Sequence, residues 1–157
     1  MGGCAPGMYA MLSAIFDYVC WIGKQFNDTE NRRDLYVEGM NRIMLHERAL
    51  LYRLLHGSDE VKGLLDIEGV KVAVDMDDLT ERDLIVPIVF DKMTCEEASR
   101  AYEAKSVIVH ERTDASLYSA RQVNSINQHG IVRISPLHCH TYADIDEFLK
   151  ITAEIAK

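Results

Sequence analysis

At 157 residues, 48% of them hydrophobic and 27% charged, the chain is long enough for one core and has the composition of a folded protein rather than a disordered one. A formal net charge of −8 argues against a nucleic-acid footprint, which needs clustered Lys and Arg. Cys4, Cys20, Cys95 and Cys139 have no CxxC spacing, and the most apolar stretch, residues 8–22, is too short for a bilayer and carries Asp17. Zinc, disulfides and membrane anchoring are therefore not indicated, and an acidic cytoplasmic protein with reduced thiols is expected.

In chain order, Tyr9, Leu12, Ile15, Phe16, Val19, Cys20 and Ile22 recur at helical spacing up to Gly23, in a first helix apolar nearly all round. Asn27 with Glu30 reads as the cap of a second, long helix that runs to Gly57. Tyr36, Met40, Ile43, Met44, Leu51, Leu54 and Leu55 form its apolar stripe, and Arg32, Arg33, Glu38, Arg42, Arg48 and Arg53 its wet face. Gly39 within it suits a close helix contact.

From Gly63 the pattern turns to short β-rich runs. Strands are expected at residues 70–74, 84–90 and 107–110, with Pro87 demoting the second to an edge or a bulge. Thr94 to Glu97 is a capping box that opens a helix to about Lys105, with Ala98, Ala101 and Tyr102 inward. Strand, helix, strand predicts a parallel crossover if those strands are neighbours. Residues 112–128 read as loop plus a short irregular helix. A strand through Arg133 follows, then a final helix capped by Thr141 to Asp144, with Ile145, Phe148, Leu149, Thr152 and Ile155 inward. The fold class is α+β: two N-terminal helices, the second long, then a small sheet with helices packed on one face. Residues 1–57 and 58–157 form the two parts.

In Gly130-Ile-Val-Arg-Ile-Ser-Pro136, Arg133 is the one cation of an apolar strand. A guanidinium placed there is half of an internal ion pair or a fork for a ligand's carboxylate or phosphate, because an unpaired buried charge costs several kcal/mol.

The run Val132-Arg133-Ile134-Ser135, followed by Tyr142 to Leu149, resembles the C-terminal signature of the class V aminotransferases, pyridoxal-phosphate enzymes that include cysteine desulfurases. The order of elements, the Leu51-x-Arg53-Leu54-Leu55 run and an R-x-P-x-x-F-like strand made of Arg82, Pro87 and Phe90 extend the resemblance over nearly the whole chain. It implies the C-terminal domain of a fold-type I pyridoxal-phosphate enzyme, with residues 1–57 as the edge of the large domain plus the connecting helix. It further implies that Arg133 grips the α-carboxylate of an amino-acid substrate, and that a cofactor-binding domain and a second copy of the chain are partners. Gly3-Cys4 falls near a family Gly-Thr pair whose threonine helps to hold the cofactor phosphate of the neighbouring subunit.

None of the seven lysines sits in a context that would desolvate it for covalent attachment to the cofactor, so no cofactor is expected on this chain alone. No cysteine lies between Glu111 and Gly130, where desulfurases carry their nucleophile, and Cys139 reads as structural. His138-Cys139-His140 lacks a third metal ligand, and His46-Glu47 lacks the second histidine of a metalloprotease motif. Two functions follow: part of an amino-acid enzyme of the transaminase, epimerase or lyase type, or a stand-alone α+β interaction module.

Overall fold

A computed structural model describes residues 5–157, and Cys4 lies outside them. They fall into two compact units, one ending at His46 and the other running from Glu47 to Lys157.

The first unit pairs helix α1 (Pro6–Lys24) with the N-terminal part of α2 (Arg32–His56). Glycines allow the approach: a Cβ on Gly23 would lie 2.0 Å from the Leu35 carbonyl oxygen, and one on Gly39 2.1 Å from that of Val19. Phe16 stacks on Tyr36 at 4.7 Å, and Asp17 pairs with Arg32. The Asn27 cap is corrected here. The Asn27 side chain accepts from Thr29 N–H, and Asn31 instead accepts from Arg33 N–H, so α2 starts at Arg32. A run of Asx and Ser/Thr turns between 27 and 31 outcompetes helix in that stretch.

The second unit is built on a four-stranded antiparallel sheet in the order β1 (Val70–Val72), β2 (Val86–Phe90), β4 (Gly130–Ile134), β3 (His110–Thr113). Its register puts Val86, Ile88, Val132 and Ile134 on one face. These pack with Leu50, Leu51, Leu54 and Leu55 of α2, with Ala98 and Tyr102 of α3 (Cys95–Glu103), and with Ile145 and Leu149 of α5 (Tyr142–Ile155). Both expected capping boxes form, Thr94 with Glu97 and Thr141 with Asp144. Buried Tyr102 satisfies its hydroxyl on Thr152 Oγ1 at 2.7 Å and stacks on Phe148. The chain is α+β, as its patterning predicts.

Three local expectations change. The third strand lies at His110–Thr113 rather than 107–110: Ser106 takes φ +62°, Val107 N–H bonds back to the Tyr102 carbonyl, and the apolar run becomes the exit of α3. β2 and β3 are not neighbours; β4 lies between them, antiparallel to both, so β2–α3–β3 is a split crossover. Pro87 sits inside the sheet and not at its edge. Its carbonyl accepts from Ala73 N–H just past the end of β1. Its nitrogen faces that same side and cannot return a bond to the Ala73 carbonyl, so the β1–β2 ladder ends at this pair with one bond instead of two.

Candidate functional site

Strand alternation decides where Arg133 goes. With Val132 and Ile134 turned to the main core, Ile131 and Arg133 must occupy the opposite face, opposite Pro87 on β2 and His110 on β3. Arg133 is half-buried. Among the described residues its guanidinium makes no ion pair, and its Nε is buried without a hydrogen-bond partner. The internal-pair reading of Arg133 therefore has no partner to rest on.

A second arginine reaches the same place. Asp78 accepts from Thr80 N–H and nucleates the single 3-10 turn Leu79–Glu81, which delivers Arg82 to the sheet. Arg82 Nη1 donates to the Val74 carbonyl at 3.1 Å and Nη2 to the Ile85 carbonyl at 3.2 Å, while its Nε, like that of Arg133, is buried and unpartnered. Burial lowers the Arg82 pKa; the nearby Asp75 carboxylate opposes this. Both arginines line a cleft of about 230 Å³ together with Val74, Met76, Ile85, Pro87, Ile131 and three residues from or next to α4 (Ala120–Ser125), namely Gln122, Ser125 and Ile126. No carboxylate among the described residues lines it. The arrangement is a small apolar slot with two guanidinium groups, suited to holding an anion by charge-assisted hydrogen bonds.

Sequence reading finds Arg133 but treats Arg82 as a packing position. Arg82 is 51 residues upstream, in an irregular loop where periodicity carries no information, and only the β2–β4 pairing brings the two together. Arg53, assigned to the wet face of α2, instead makes a two-point ion pair with Asp146 of α5 at 2.8 and 2.7 Å.

The other candidates fall elsewhere. Cys95, Asp114 and His129 line a separate cavity of about 430 Å³, and His129 Nδ1 lies 2.7 Å from Asp114. Burial, reinforced by Glu96, pushes the Cys95 thiol up to about 12, and a Cβ on Gly130 would meet its sulfur at 2.5 Å. Cys95 is thus a protonated packing group rather than a nucleophile. His138, Cys139 and His140 lie in the loop after β4, with His140 Nδ1 near the Leu137 backbone, and no three His, Cys, Asp or Glu side chains among the described residues could hold a metal. No helix there is long and apolar enough to cross a membrane. All seven lysines are exposed, so none offers the desolvated amine that pyridoxal phosphate requires, and the residues of this chain do not fit that cofactor by themselves.

No protein-family model and no curated protein matches the chain. Among solved structures, the apo structure of a cysteine desulfurase from Thermococcus onnurineus NA1 superposes with a TM-score of 0.64 at 18% sequence identity. The two share a fold. The match covers 80% of this chain and 28% of the desulfurase chain, so the chain spans little more than a quarter of that protein.

Proposed function

We propose that this chain is the C-terminal portion of a pyridoxal-phosphate enzyme of the class V aminotransferase kind, and that Arg133 holds the α-carboxylate of its amino-acid substrate. The observation that carries this reading is a half-buried guanidinium without an acidic partner, opening on a cleft that no carboxylate lines. The fold shared with a cysteine desulfurase supports it. Residues 58–157 would be the small domain, and residues 1–57 the large domain's edge with the connecting helix. The cofactor lysine would come from a pyridoxal-phosphate-binding domain outside this sequence, in a cytoplasmic homo-oligomer. A transaminase, epimerase or lyase reaction fits better than desulfuration, because residues 111–130 contain no cysteine.

In a holoenzyme that includes this chain, Arg133→Lys replaces a two-point fork by a point charge and should weaken amino-acid binding by about 2 kcal/mol. Unchanged substrate affinity would remove Arg133 from the site. A stand-alone interaction module is the second reading, and the exposure of all seven lysines fits it as well as the first. Borohydride reduction of the chain mixed with pyridoxal phosphate should give only scattered, substoichiometric lysine adducts. One stoichiometric adduct would mean that the chain carries its own cofactor site.

A further inference from the structure

The cleft holds one guanidinium more than a single carboxylate needs. Arg82 spends one N–H of each terminal nitrogen on a backbone carbonyl, which fixes the group but leaves its charge uncompensated, with three N–H donors still to place. Asp75 of the 73–85 loop lies near enough to act on it, but is outside the cleft and makes no ion pair with it. The sheet register adds Lys71, His110 and Arg112 to the face that carries Arg133, and places the one acid of these strands, Glu111, on the other face. Of these cations only Arg133 lines the slot itself, beside Arg82, so a chain of net charge −8 sets two guanidinium groups together in one small cleft. Two guanidinium groups lining one cleft repel each other, and a ligand with one negative charge leaves the site with one uncompensated positive charge.

We infer that the cleft takes a small dicarboxylate, in the enzyme an amino acid with an acidic side chain, with one carboxylate on Arg133 and the second on Arg82. This rests on Arg133 being the carboxylate fork proposed above. The apolar wall of Ile85, Pro87 and Ile131 suits the methylene spacer between the two acids, and about 230 Å³ suits a ligand of that size rather than a nucleotide.

Calorimetric titration of the full chain with glutarate, butyrate and inorganic phosphate tests this. Glutarate should bind at least about tenfold more tightly than butyrate, the worth of one charge-assisted hydrogen-bonded contact. Arg82→Met should remove that preference by weakening glutarate much more than butyrate, while Arg133→Met should weaken both. Because Arg82 also ties two loop carbonyls, Asp75→Asn provides a variant that leaves those ties intact, and it should tighten glutarate several-fold more than butyrate. Equal affinity for glutarate and butyrate in the wild type, or tighter binding of phosphate than of glutarate, would overturn the dicarboxylate assignment while the role of Arg133 stood. Carboxylate binding that is indifferent to Arg133→Met would overturn both.

Discussion

In the unit from Glu47 to Lys157, Leu50, Leu51, Leu54 and Leu55 are at most 1% exposed; in the unit ending at His46, Met8, Tyr9, Met11, Leu12, Ile15 and Trp21 are each more than half exposed. One helix, α2, takes part in both regimes, since its Val37, Met40, Met44 and Leu45 are also exposed. The difference lies in what each unit offers as cover. A sheet face together with α3 and α5 closes over four leucines, whereas two paired helices bury only the seam between them, around Val19, Cys20 and Leu35. Amphipathic or wholly apolar helical sequence thus marks surface that needs covering without saying whether the same unit supplies the cover.

Truncating equivalent side chains on either side of this contrast should give the largest effect. Leu54→Ala opens a cavity in the closed core and should cost about 2–5 kcal/mol in urea unfolding, whereas Leu12→Ala, measured at a dilution where the chain is monomeric, should stay within about 0.5 kcal/mol. A comparable loss at Leu12 in the monomer would mean that the chain itself covers the first helix. Light scattering over a dilution series checks this directly: the exposed faces of residues 8–22 and 37–45 should drive a symmetric dimer, and Leu12→Glu with Ile15→Glu should yield monomer. Next in size is Gly39→Ala. Its methyl would meet the Val19 backbone at 2.1 Å, and overpacking of this kind costs about 1–3 kcal/mol. Hydrogen exchange should speed up in α1 while protection of β2 and β4 persists.

Much of this architecture is legible beforehand because it is local. The capping boxes at Thr94 and Thr141, the strand through Arg133 and the inward residues of α5 all follow from spacing and side-chain chemistry within a few residues. What escapes is set by pairing across long separations. Insertion of β4 between β2 and β3 makes Pro87 an interior residue, brings Arg82 beside Arg133, and cannot be read from a strand-helix-strand order. Arg53 looks like one more wet-face cation until α5 presents Asp146, 93 residues later.

The smallest effect separates the units by pH. The two-point bond to Arg53 holds the Asp146 carboxyl below its usual range, and Asp144, accepting from the Thr141 backbone, and Asp78, accepting from Thr80, are lowered as well. In the first unit Glu30, paired with Lys24, is lowered in the same way. A carboxyl whose folded pKa is depressed contributes stability that is present above its unfolded value, near 3.9 for Asp, and is lost as pH falls through the folded value. Acidification below about pH 4 should therefore unsettle the sheet unit before the helix pair. Trp21, the single tryptophan, reports the helix pair by fluorescence, and NMR signals of Ile88 and Val132 report the sheet. Asp144→Asn with Asp146→Asn should flatten the acid limb of the sheet unit while leaving the Trp21 transition where it was. If both probes move together in the wild type and in the variant, the two units unfold as one and the contrast between them ends at their surfaces.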